Sequence, residues 1–458
     1  MKTIFISILQ GVEAKNILRT DIYKTLISQP DVRLVFFVGS KDKIEYYSKE
    51  FYNDRIIYEV VPNFRVTVGE IILSFLKFKL INTETMDLRR HMAARDSKFH
   101  IVYFPISYIF NRIFARSFVR KIVRWCDMRF VHNNMFKFVF DKYKPDAVFL
   151  AHLFDDIEVA MLKEAKRRKV FSFGFINSWD KLTTRCMMRA LPNKLFVYNN
   201  IVKEEAHKLG DMKLLDIIAV GIPHYDFYFK EKANPKEFLS KHYGIDISKE
   251  ILLYSPLGKY FSNSDWEVID LIQDYIVKGS LIKSVELLVR FQPNDFLDEK
   301  EIEKRPWLKY CWPGVRFSNK RGVDWDMSNN DLRHLHDTLE NISILICYAS
   351  SISIDAIVFD KPVININFEV KEKQKLSKTP TYFYKTNHYQ KALKTGGIKL
   401  VENKDQLLFW INKYLSDPSI DKDNRKKLVE QQCYFLDGHA GERIGLNMLS
   451  LINYEIRN

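Results

Sequence analysis

The sequence predicts an α/β protein made of two doubly wound parallel sheets, and three observations predict it. First, apolar runs of strand length recur along the chain with helix-period sequence between them: TIFISIL, RLVFFVG, AVFLA, VFSFGFI, NKLFVYN and DIIAVGIP, then ILLYSPLG, VELLVRF, ISILICY and VININF. Their Ile, Val, Leu and Phe content suits strands buried on both faces of a parallel sheet. Second, 458 residues are too many for one ordinary core. Third, Gly221-Ile222-Pro223 interrupts the alternation and ILLYSPLG restarts it. Two domains follow, residues 1–222 and 223–458, with a helical tail after Arg425 whose last helix is expected to fold back on the first domain.

Taken in order, MKTIFISILQG has the look of a leader, but its apolar part is short and no small-residue cleavage site follows, so it reads as the first buried strand. A helix-like stretch runs from Gly11 to about Ser28, and RLVFFVG is the second strand. After a long insertion, AVFLA forms a strand, Asp155 or Asp156 caps a helix, and VFSFGFI forms the next strand. No uncharged run approaches the ~18–20 residues of a membrane span. The five cysteines are scattered, with no Cys-x-x-Cys pair, which points to a reducing compartment and against zinc or a disulfide framework. Neither a P-loop nor a G-x-G-x-x-G after a strand is present, so ATPase and dinucleotide dehydrogenase functions lack support.

The net charge of +14 is concentrated. Between Phe64 and Lys144 sixteen Lys and Arg stand against six Asp and Glu, among many aromatic residues. Arg112, Arg116, Arg120 and Arg124 recur every four residues, the pattern of one amphipathic helix with a basic face for an anionic membrane surface. The plainer alternative is a helix packed by its aromatic side with solvated or paired arginines. Nucleic acid is a weaker partner, because no DNA- or RNA-binding signature is present.

The most informative stretch is ISILICYASSISIDAIVFDKPVININF, Ile342 to Phe368. A strand ends in Ala349-Ser350-Ser351, a short helix follows with Ile352, Ala356 and Phe359 on one side, and Lys361-Pro362 stops it. The loop at a strand's C-terminal end is where open α/β sheets hold ligands. Ser350 and Ser351 offer hydroxyls and free backbone N–H groups to a phosphate, and Asp355, one turn on, can accept from a ribose diol. The plainer alternative is an N-cap serine and a solvated first-turn acid.

This block resembles the nucleotide-binding half of the CDP-glycerol glycerophosphotransferase family. The resemblance is carried by Asp331-Leu332, the strand Ile342 to Cys347, Tyr348/Ser350/Ser351, Asp355, Lys361-Pro362-Val363, and Asp437-Gly438-His439-Ala440 followed by Arg443. One departure is Gln292-Pro293, where the family has His-Pro. SWDKLTT and VGIPHYD are similar to surface-polysaccharide glycosyltransferase-like proteins of the GT-B fold. The resemblance implies two Rossmann-like domains facing across a cleft, with Tyr348, Ser350, Ser351 and Asp355 at the nucleotide; Arg290, at the end of VELLVRF, stands at a strand end where it can meet the leaving phosphate.

Transfer from a nucleotide-activated donor needs charge or N–H groups at the leaving phosphate and a base at the acceptor hydroxyl. For the base the candidates are His152, Asp155 and Asp180, each just past a strand end. His152 has an unperturbed pKa near 6.5 suited to proton transfer. His334 and His336 point different ways on their helix and make no metal pair; His224 is structural. The expectation is a cytoplasmic transferase, peripheral on the inner face of the plasma membrane. It would move a sugar or glycerol phosphate from a nucleotide-activated donor to a saccharide or lipid-linked acceptor in envelope polysaccharide or teichoic-acid-like polymer synthesis. No metal and no further cofactor is expected. The alternatives are a UDP-sugar 2-epimerase-like isomerase, whose usual Gly-Gly and paired glutamates are replaced here by Ile352 and a lone Asp355, and an inactive nucleotide-binding homologue.

Overall fold

The computed structural model describes residues 1–318, 324–370 and 375–457. The chain forms two compact units, the first of Met1–Asp87, Pro105–Lys230 and Cys433–Asn458, the second of Leu88–Phe104 and Glu231–Gln432.

The first unit is built on seven parallel strands: β1 (Lys2–Ile8), β2 (Val32–Val38), β3 (Ile56–Val60), β4 (Ala147–Leu150), β5 (Phe171–Ile176), β6 (Lys194–Val197) and β7 (Ile217–Ala219), in the order β3-β2-β1-β4-β5-β6-β7. Central β1 is buried because both faces are covered, and Phe5 sits opposite Val35 of β2 and Val148 of β4. Its ring meets Phe37 and Phe140 edge-on at 4.9 and 5.1 Å. Burying such a ring contributes on the order of 2–3 kcal/mol. The strand order reverses between β1 and β4, so their C-terminal ends open a crevice suited to a ligand.

The second unit holds β8 (Glu250–Ser255), β9 (Val285–Arg290), β10 (Lys309–Cys311), a small antiparallel pair β11 (Val315–Arg316) and β12 (Trp325–Asp326), then β13 (Ile344–Cys347), β14 (Val363–Ile366) and β15 (Lys399–Val401). Its parallel sheet runs β10-β9-β8-β13-β14-β15, with the reversal between β8 and β13. The serine turn after β13 lies at that reversal. Both sheets are doubly wound, as the strand-helix alternation predicts.

The helix Ala440–Arg457 packs on the helix Asp21–Ile27 of the first unit. The approach needs glycine, because a Cβ on Gly445 would lie 2.7 Å from Thr25 Cβ. Asp226 accepts from the N–H groups of Ala440 and Gly441 at 2.9 and 2.7 Å, so this carboxylate fixes the helix start. Arg443 donates to the Val220 carbonyl at 2.6 Å and also pairs with Asp437. The Asp437…Arg443 motif therefore seats the last helix.

The basic segment departs from expectation. Instead of one helix carrying four arginines on a face, the chain forms Lys98–Phe114 and Ser117–Phe130, broken at Ala115-Arg116. Arg120 and Arg124 point inward to the Asp211 carboxylate, at 2.6 and 2.7 Å, and are not a membrane-facing surface. Arg112 pairs with Asp87 at 2.6 Å, and Arg116 is exposed at the break. The four-residue spacing is real, but two of the four side chains are absorbed by an acid ninety residues away. No helix among the described residues is long and apolar enough to cross a membrane.

Candidate functional site

At the reversal point of the first unit, the loops after β1, β4 and β5 bring together Glu13, His152, Glu158, Asn177 and Lys181. Each is buried. Glu13 stands in the first turn of helix Gly11–Ile17, where one carboxylate oxygen accepts from Leu9 and Gln10 N–H. Its other oxygen has no hydrogen-bond partner among the described residues. Lys181 Nζ, His152 Nδ1 and both side-chain polar atoms of Asn177 are likewise buried without one. A fold normally pairs such atoms, since each left unpaired costs about 1–3 kcal/mol. Five of them at one sheet end make this cluster the candidate site of the first unit.

The electrostatics follow from burial. Desolvation raises the Glu13 carboxyl to about 7, against the opposing charge of Lys181. Desolvation lowers the Lys181 ammonium to about 8, with Glu13 and Glu158 pulling it back up. Glu158 is pushed well above the usual carboxylate range by burial and by Glu13, while Ser7 and the His152 N–H donate to it at 2.5 and 2.7 Å. An acid near 7 beside an amine near 8 can both take and return a proton at neutral pH.

The three base candidates fare differently. His152 is inside the cluster, but burial and then the charges of Lys181 and Arg185 drive its pKa to about 2. It stays neutral at physiological pH, and the premise of an unperturbed imidazole fails. Asp155 is the N-cap of helix Asp156–Arg167, its Oδ1 accepting from Ile157 N–H at 2.8 Å. Asp180 holds its own turn, accepting from Ser178 and, at 3.1 Å, from Thr184. His224 is half-buried, its Nδ1 3.0 Å from Asn16 Oδ1, a structural contact. Glu13 escaped sequence reasoning because GVEAKN reads as an ordinary helix start, and Lys181 was visible only as one residue of SWDKLTT. The faint signal for both was their place just after an apolar run.

In the second unit, Ser350 and Ser351 lie at the surface end of β13, half-buried and exposed respectively. The Ser350 N–H is not free, because it donates to Tyr389 Oη at 3.3 Å. The following helix, Ile352–Val358, has only seven residues, and Ser351 makes no side-chain cap. Behind the turn Tyr389 Oη donates to Asn365 Oδ1 at 2.6 Å and lies 3.1 Å from Ser353 Oγ. Asn365 in turn reaches the Cys347 carbonyl and sulfur at 3.3 and 3.1 Å. This buried network fixes the turn, and the amide inside VININF was its sequence trace. Asp355 is buried on the helix rather than solvated.

Tyr348 is a correction: it is wholly buried in the apolar core, its hydroxyl directed to the Phe368 carbonyl at 3.4 Å, and offers nothing to a nucleotide. Arg290 ends β9, buried, with Nη1 on Cys311 Sγ at 3.5 Å and Nη2 without a partner among the described residues. Beside it, after β8 and β9, Gly258, Ser262, Asn263, Trp266 and Gln292 line a cavity of about 220 Å³. Gln292 donates to the Leu257 carbonyl at 2.7 Å and is thereby tied to the cavity wall. Gly258, at φ +91°, has no room for a Cβ, which would fall 2.1 Å from Asp295 Oδ2.

No protein-family model and no curated protein matches the chain in sequence. Solved structures match it in fold. A UDP-N-acetylglucosamine 2-epimerase superposes with a TM-score of 0.56 at 12% identity, over 99% of this chain and 96% of its own. MnaA of S. aureus, determined with UDP, gives 0.54 at 15% identity over 99% and 97%. A variant of the wall teichoic acid polymerase TagF, soaked with CDPG, gives 0.50 at 11% identity over 99% and 89%. These neighbours are GT-B proteins, and the chain, with its seven- and six-stranded Rossmann-like sheets, has the GT-B fold.

Proposed function

We propose that the protein is an enzyme of nucleotide-activated sugars or glycerol that transfers the activated group to an acceptor hydroxyl. The observation that carries this is the buried Glu13–Lys181 pair with its unpaired polar atoms at the reversal of the first sheet. The positive charge of Lys181 favours the ionised Glu13, which takes the proton of the acceptor hydroxyl; the hydroxyl oxygen bonds to the transferred group as its bond to the nucleotide phosphate breaks, and the nucleotide leaves with the electron pair. The nucleotide belongs to the second unit, at Ser350, Ser351, the buried Asp355 and the unpaired Nη2 of Arg290. The reading calls for no metal and no further cofactor. Its acceptor is a saccharide or lipid-linked hydroxyl of an envelope polymer, and its place is the cytoplasmic side of the membrane. The fold neighbours determined with UDP and with CDPG support a nucleotide diphosphate as donor.

One observation favours a second reading. Glu13 and Glu158 are two carboxyls with raised pKa in one cluster, the acid-base equipment that inversion at a sugar carbon requires, and 2-epimerases share the fold. Incubation with UDP-N-acetylglucosamine or CDP-glycerol, followed by NMR with and without a saccharide acceptor, separates the two. Transfer predicts nucleotide release that depends on acceptor and an unchanged donor configuration. A C2-epimerised nucleotide sugar formed without acceptor would establish the isomerase instead.

A further inference from the structure

Three helical stretches of the first unit are inverted. In helix Val68–Leu76 the inward positions are Glu70, Leu73 and Ser74, while Val68, Ile71, Ile72 and Phe75 face solvent at the i, i+3, i+4, i+7 spacing of one stripe. From Pro105 to Phe114 the buried residues are Ser107 and Asn111, and Ile106, Ile109 and Ile113 are exposed. In helix Ser117–Phe130 the buried residues are Arg120 and Asp127, and Phe118, Ile122 and Trp125 are exposed, Phe118 and Trp125 at 64% and 62%. A surface helix of a globular protein ordinarily does the reverse.

The inversion is built in. Arg189 donates to Asp127 at 2.8 Å and to Glu70 at 2.5 Å, and Lys163 joins Asp127 from below. Asn111 donates to the carbonyls of Lys79 and Ile81 at 2.6 and 2.8 Å, and Arg120 is held by Asp211. Buried ion pairs and amides thus fix each helix by its polar side, and rotating any helix to hide its apolar stripe would strip these charges of their partners, at a cost of several kcal/mol. The three lie side by side: helix Val68–Leu76 contacts helix Ser117–Phe130, and Phe110, Val119 and Val123 pack on the same Leu80–Ile81–Met86 cluster. So large an apolar surface on a water-facing fold marks a binding face.

Charge names the occupant. From Pro105 to Phe138 the sequence has one acid, Asp127, and it is buried. Arg116, Lys121, Arg129 and Lys137 are exposed among the apolar residues. A second copy of the chain would bring the same cations against themselves, whereas an anionic bilayer takes up both features: its headgroups meet the cations and its acyl boundary takes the apolar stripes. We infer that Val68–Leu76, Pro105–Phe114 and Ser117–Phe130 form a monotopic docking face that seats the first unit in the interfacial layer of an anionic membrane. The inference stands apart from the reaction proposed above.

The test is co-sedimentation of the full chain with phosphatidylglycerol or phosphatidylcholine vesicles. Native protein is expected to bind the phosphatidylglycerol vesicles and to be weakened by salt. The triple variant Ile71→Ser/Phe118→Ser/Trp125→Ser should bind them about tenfold more weakly, with an unchanged melting curve because all three positions are exposed. Arg116→Glu/Lys121→Glu should lose binding together with its salt dependence. Failure of the native chain to bind, or equal binding of native and triple variant, overturns the inference. So does a lipid-free dimer that the triple variant converts to monomer, which would give the face to a second copy.

Discussion

Glu13 and Lys181 are both buried, and desolvation shifts the pKa of each towards its uncharged form. The folded-state pKa of Glu13, about 7, exceeds its ordinary value of 4.5. Its contribution to stability is therefore complete at low pH and lost as pH rises through about 7. Lys181 adds nothing to this window, since both states keep its proton until about pH 8. Glu13→Gln should remove the loss: its melting temperature relative to native should rise between about pH 5 and about pH 8. The same variant should lower turnover by about a hundredfold or more while nucleotide binding persists. Unchanged turnover would remove Glu13 as the base. His152 was legible as a strand-end histidine, but its protonation was not, because the lysine that helps suppress it comes from another loop.

At the scale of elements, the segment 64–144 shows how far a charge pattern alone can mislead. The excess of cations, the aromatic residues and the amphipathic period were all visible in the chain. Which face turns inward was decided by Asp211, Glu70, Asp127 and Asp156, acids spread over more than a hundred residues. Burial alone would push the Asp211 carboxyl up, but hydrogen bonds from Arg120, Ser117 and Arg124 outweigh it and hold it below its ordinary value. Asp211 also adopts φ +61°, which asparagine tolerates, so Asp211→Asn removes the charge without backbone strain. Two buried guanidinium groups then lack a counter-charge, and urea unfolding at neutral pH should show a loss of about 3–5 kcal/mol. A group with a depressed folded pKa stabilises above its unfolded pKa and ceases to as pH falls through the folded one. The gap between native and variant should accordingly close below about pH 4. A gap that persists there would mean packing, not charge, anchors helix Ser117–Phe130.

On the scale of the whole molecule, the first unit is completed by the last stretch of the chain. Ile444, Met448 and Ile452 are buried, and Gly445 allows the close approach to Thr25. Gly445→Val should overpack that contact by about 1–3 kcal/mol. Limited proteolysis should then cut the tail at Ala440–Arg457 sooner than in native protein, with the second unit unaffected. Equal protection would show that the helix finds another seat. What the sequence by itself determined was the class: strand-length apolar runs separated by helix-period sequence bury both faces in a parallel sheet covered by helices, and the restart at ILLYSPLG divides them into two such sheets, with the small-polar turn after ISILICY at a strand end. Only tertiary structure decided the chemistry and the outward face. A carboxyl is moved to about 7, and an arginine is turned inward, by groups that the fold brings near from distant parts of the chain. Local pattern carries periodicity, but desolvation and ion pairing depend on neighbours in space.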